Sequence, residues 1–159
     1  MTVAAGTGAP VIELIVRCGL VLLFLPFSAM DKVFNFPGAV GQAQQVFKPR
    51  LLAAAMLLIG LTIEICCSLG IIAGVADRAA AFVMAGYCAM TAMLYKPFWA
   101  QGDFWSATNG KGRGMFWDFL KNLSLGAGFL LIVVGTDGHG LAPFLGAPFA
   151  SSHPYKAAP

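Results

Sequence analysis

LLAAAMLLIGLTIEICCSLGIIAGV, residues 51–75, is the stretch whose reading decides the fold. A helix needs about 20 predominantly apolar residues to cross the hydrocarbon layer of a bilayer, and this run exceeds that length. It contains a single acid, Glu64, near its centre. At a rise of about 1.5 Å per residue, Glu64 lies close to the midplane, where a charge costs several kcal/mol. Three further stretches have the same character: residues 11–30, 79–95 and 115–135. Backbone polar groups in lipid must bond internally, so such runs are helices; none alternates as a barrel strand would. The chain is 58% hydrophobic and 11% charged, against about 25% charged in a soluble domain. With a mean hydropathy of +0.78, the sequence predicts an all-α fold, an integral membrane four-helix bundle forming one domain over residues 1–159. The formal net charge of +3 is small and scattered, which argues against nucleic acid as a partner.

The first run is read as a membrane helix rather than a cleaved leader. The segment MTVAAGTGAP before it has no basic residue, and Arg17 interrupts it. Pro26 is expected to kink it, leaving carbonyls that need a donor, and Lys32 stands just beyond. Residues 31–50, DKVFNFPGAVGQAQQVFKPR, mix aromatic, aliphatic and amide side chains. They read as an interfacial segment with two turns of amphipathic helix between Pro37 and Pro49. A tight turn at Asp77 and Arg78 makes the second and third helices antiparallel neighbours. Trp99, Trp105 and Trp117 flank the Gly-rich loop of residues 100–114 as an aromatic belt at one membrane face. Gly70 and Gly74 have the spacing that lets helix backbones approach, and Gly60, Gly126 and Gly128 support close packing. The tail, residues 136–159, is expected to be irregular. Lys32, Lys48, Arg50, Lys96, Lys111 and Arg113 lie toward the two long loops, while Arg17, Arg78 and Lys156 lie toward the other face. This bias puts the long loops in the cytoplasm and both termini outside.

Glu64 requires a partner at its depth. By position along their helices, Arg17, Lys121 and Asn122 are the candidates, and the four are expected to form one intramembrane polar cluster. Such a clasp is either packing glue or the wall of a working pocket. The four cysteines, Cys18, Cys66, Cys67 and Cys88, contain no C-x-x-C pair and read as small apolar side chains without a disulfide. His139 and His153 sit in the tail without neighbouring ligands, so no metal site is expected. The segment NGKGRG lacks the phosphate-loop pattern, and no nucleophile elbow or catalytic triad is present. The chain is not expected to be catalytic on its own.

RCGLVLLFLPFSAMDKVF, LTIEICCSLGIIAGVADRAAA, YKPFWA and FLKNLSLGAGFLLI, in that order, resemble the DoxX family of small four-helix membrane proteins. The resemblance covers roughly residues 11–135. It rests on Arg17, Phe24 and Lys32, on Glu64, Gly74 and Arg78, on Pro97, Phe98 and Trp99, and on Phe119, Leu120, Lys121 and Asn122. Ala29 stands where the family usually has glycine, and Lys96 where it has histidine. The family takes its name from a component linked to quinone-coupled thiosulfate oxidation. The resemblance therefore implies a bacterial inner-membrane protein that docks with other membrane subunits in an oxidoreductase or electron-transfer assembly, with quinone as a possible cofactor. Lys32, Arg78 and Trp99 are secondary site candidates. Two alternatives are a self-contained quinone- or lipid-binding enzyme with a pocket around Glu64, and a small oligomeric transporter or thiol-stress factor.

Overall fold

The computed structural model describes residues 8–105, 110–135 and 140–155. Its first membrane rod, Gly8–Phe34, is built from three pieces. α1, Gly8–Val21, passes into a π-helical turn, Leu23–Ser28, and then into α2, Ala29–Phe34. Leu25, just before Pro26, leaves the helical region at φ −123° and ψ 115°. A proline supplies no N–H and crowds the carbonyl one turn back, which is why the break falls there. The rod continues beyond residue 30 because helical geometry resumes on the far side of the break.

α3, Phe36–Ala43, carries Pro37 in its first turn, where a missing N–H costs nothing. It buries Ala39, Val40 and Ala43 against Ala53 and Leu57 of α4, Arg50–Ala73. α4 ends at Gly74, whose φ of +69° is the left-handed conformation that closes many helices. The chain then reverses into α5, Asp77–Tyr95, antiparallel to α4. A single 3₁₀ turn, Phe98–Ala100, follows. α6, Lys111–Val134, completes the bundle, and α7, Ala142–Gly146, lies in the tail. Among the described residues, four stretches are long and apolar enough to cross a membrane: Gly8–Phe34, Arg50–Ala73, Asp77–Ala100 and Lys111–Val134.

The core joins Val21 and Phe24 of the first rod to Ile71 of α4, Met84 of α5, and Phe129 and Val133 of α6. α5 and α6 approach closely through Gly126, where a Cβ would meet the Ala85 carbonyl at 3.4 Å. Large apolar side chains such as Ile12, Ile15, Ile59 and Leu131 point outward and are exposed, an arrangement that suits lipid rather than water as the surrounding solvent. At the end of the bundle where α5 meets α6, Phe98 packs edge-on against Phe116 and Phe119 at 5.0 and 5.4 Å. Trp99 joins this group, while the rings of Trp105 and Trp117 flank it.

Two expectations are corrected. Gly70 does face α5, where an added Cβ would meet the Ala80 side chain at 3.5 Å, but Gly74 does not serve helix–helix contact. A Cβ on Gly70 would lie 3.0 Å from the Val75 carbonyl, and one on Gly74 3.0 Å from the Pro154 ring, so they make room for the turn and the tail. The tail is not simply irregular. After α7 it folds back over the α4–α5 turn, with Ser151 donating to the Gly74 carbonyl and Tyr155 to that of Ile72. His139 and Lys156 lie outside the described residues.

Candidate functional site

Gly60, Glu64, Ser68 and Ile71 recur at helical spacing along α4 and form its buried face. The side chain of Glu64 is only 2% exposed. Its Oε1 accepts three hydrogen bonds: from the Tyr87 hydroxyl at 2.8 Å, from the Ser28 hydroxyl at 3.1 Å, and from the Lys32 ammonium. Lys32 also donates to Ser28 at 2.8 Å. The broken first rod makes this possible, since Ser28 ends the π-helical turn and Lys32 follows one helical turn later on α2. Tyr87 reaches across from α5 because residue 60 is glycine; a Cβ there would come within 3.1 Å of the phenol oxygen. Charge-assisted bonds of this kind are the strong ones, and they offset part of the cost of burying the carboxylate.

The second oxygen differs. Glu64 Oε2 is buried and has no hydrogen-bond partner among the described residues. Glu64 also lines a cavity of about 660 Å³, within the size range of small-molecule sites. The cavity is walled chiefly by apolar side chains, among them Phe24, Met56, Ile63, Met90 and Leu94. Its polar groups include Lys32, Tyr87, Thr91, Gln42 and Asn122. Within this mostly apolar wall, Ser28, Lys32, Glu64 and Tyr87 are gathered into one hydrogen-bonded group.

Arg17 does not join Glu64. It is 2% exposed and forms a second buried cluster with Asp77, which is 0% exposed. Its Nη1 donates to Asp77 at 2.7 Å and to the Ile71 carbonyl at 2.9 Å. Its Nε bonds Glu13 at 2.9 Å, and its Nη2 bonds the Ser152 hydroxyl at 3.0 Å. Ser152 also donates its backbone N–H to Asp77 at 2.9 Å, along with its hydroxyl. Nearby, burial raises the Tyr155 phenol above its ordinary value. Lys121 does not reach Glu64 either. It is 74% exposed and lies 3.6 Å from Asp118, which also accepts from Lys96 at 2.9 Å. Asn122 lines the cavity without bonding Glu64.

The expected single cluster thus divides in two. Lys32, a secondary candidate in the sequence, is the cation of the Glu64 site, and Ser28 and Tyr87 are additional members. Trp99 belongs to the aromatic group at the bundle end, and Arg78 stands in the first turn of α5. All four cysteines are free, with Cys88 buried and Cys18 and Cys66 exposed. Among the described residues, no group of His, Cys, Asp and Glu is placed to hold a metal ion.

The DoxX family model matches residues 12–97. The chain is similar to an Escherichia coli (strain K12) protein described as inner membrane protein YphA, with 29% identity over 133 residues, covering 84% of this chain and 89% of that protein. No solved structure matches. The family match takes in more than half of the chain, including Ser28, Lys32, Glu64 and Tyr87 as well as the Arg17–Asp77 pair. With four apolar helices around these two buried clusters, the chain belongs to the DoxX family and is an integral membrane protein.

Proposed function

We propose that the protein is the quinone-binding membrane subunit of a larger oxidoreductase or electron-transfer assembly. The observation that carries this reading is the state of Glu64: one carboxylate oxygen holds three donors while the other is buried without a partner in the wall of a largely apolar cavity. A carboxylate–ammonium pair set in the wall of a mostly apolar cavity is the polar anchor that a largely apolar ligand needs. A quinone has a compact polar ring and an apolar tail. The ring fits the end formed by Glu64, Lys32 and Tyr87, and the tail fits the aliphatic walls. Family membership adds a link to quinone-coupled oxidation. In this reading the reacting electrons would come from partner subunits.

The test is extraction of the purified protein, isolated in mild detergent from quinone-containing membranes. Stoichiometric quinone is expected in the parent protein and its loss in Gly86→Phe. Gly86 lines the cavity, and a Cβ there meets nothing within 4 Å, so the added ring fills the space without a clash at its root. Quinone at background level in the parent, or unchanged by Gly86→Phe, would reject the reading.

A further inference from the structure

We infer that the groove between the first rod and α6 seats an anionic phospholipid, with its phosphate at Lys121. This groove is separate from the Glu64 cavity: adjacent residues of α6 divide between them, Asn122 lining the cavity and Lys121 the groove. The two rods touch at Gly128, where an added Cβ would come within 2.7 Å of the Leu20 side chain. Toward the long-loop end they part, because past the break at Leu25 the first rod packs against α3 and α4 instead. The space left, about 680 Å³, is walled by Leu23 of the first rod and by Trp117, Leu120, Lys121, Ser124 and Leu125 of α6. That volume lies in the range of small-molecule sites.

The order of side chains along α6 sets the orientation of the occupant. Trp117, Lys121 and Leu125 follow one another a turn apart on the same side of the helix, and Arg113 stands one turn before Trp117. Cations and indole therefore lie toward the helix start, and aliphatic side chains toward its middle. Trp117 is exposed, and tryptophan favours the headgroup level, where its N–H donates while its ring stays against apolar groups. Lys121 lies one turn deeper and is 74% exposed; its long stem carries the ammonium back toward the same level.

Charge identifies the head of the occupant. Asp118 accepts from Lys96 at 2.9 Å and lies 3.6 Å from Lys121. Two ammonium groups thus face one carboxylate, and Lys96 holds it the more closely. Lys121 keeps a charge that hydrocarbon does not solvate, on a helix long and apolar enough to cross the membrane. A phosphodiester supplies the missing negative charge, with oxygens that accept from both ammonium and indole. Basic pockets between membrane helices take anionic headgroups in this way. A zwitterionic phospholipid brings its own cation beside the phosphate and gains less. Each Lys or Arg at the headgroups favours an anionic lipid by about fivefold.

The test reconstitutes the full chain in vesicles of equal parts phosphatidylglycerol and phosphatidylcholine with matched acyl chains. The protein is then re-extracted in mild detergent and its retained lipids are counted by mass spectrometry. The parent is expected to retain phosphatidylglycerol over phosphatidylcholine by at least about fivefold. Lys121→Gln should reduce that preference about fivefold, and the position is exposed, so the variant keeps its fold. Lys48→Gln removes an exposed cation outside the groove and should leave the preference unchanged. Ser124→Phe fills the groove and should release the lipid whatever its head. No preference in the parent, or retention undisturbed by Lys121→Gln or Ser124→Phe, would overturn the proposal. So would an equal loss in Lys48→Gln, which would mean attraction by net charge alone.

Discussion

Glu64 and Lys32 tie α4 to the broken end of the first rod, and their charges depend on each other. Removing one partner of a buried pair strands the other and costs about 3–5 kcal/mol, whereas removing both together is far milder. Lys32→Met is therefore expected to destabilise the protein strongly, and the double variant Lys32→Met/Glu64→Gln to recover most of the loss. Thermal unfolding in detergent reads both; additive losses would contradict the pairing. Lys121→Ala, at an exposed position, should stay within about 0.5 kcal/mol of the parent. The contrast marks where the sequence was legible. A lone acid in an apolar run announces itself, so Glu64 was identifiable. Its partners were not, because counting residues along straight helices places Arg17 and Lys121 at comparable depths and places Lys32 past the helix end. The break at Leu25 and Pro26 keeps Lys32 within the first rod, one helical turn beyond Ser28.

Among the elements, the tail has the least expected part. Its residues Ser151, Ser152 and Tyr155 close the α4–α5 turn and complete the Arg17–Asp77 pair. Nothing in a Pro- and Gly-rich run signals this, since the partners lie more than 70 positions away in the chain. Ser152→Ala removes a donor from Asp77 and an acceptor from Arg17, and is expected to cost about 1–3 kcal/mol. It should also speed proteolysis after α7, which a time course on the folded protein would show; unchanged stability and cleavage would rule out the tail as a seal. Gly74→Ala combines a left-handed φ with crowding against Pro154. A loss of about 1–2 kcal/mol is expected from the backbone alone. The amphipathic α3, by contrast, was readable from its prolines and its mixture of side chains.

For the molecule as a whole, four apolar rods enclose two separated polar sites. One lies under the tail and is filled by the chain itself. The other lines a cavity, and one of its carboxylate oxygens is buried with no partner among the described residues. In the proposed reading, that difference gives packing to the Arg17 cluster and ligand binding to Glu64. The most direct measurement is therefore to map where a quinone goes. A photoactivatable azidoquinone, crosslinked to the protein in nanodiscs and located by peptide mass spectrometry, is expected to label cavity-lining residues such as Met56 on α4 and Met90 on α5. Excess unlabelled quinone should protect them, and Gly86→Phe should abolish the labelling. Label spread over the lipid-facing residues of α6, without protection, would contradict the account.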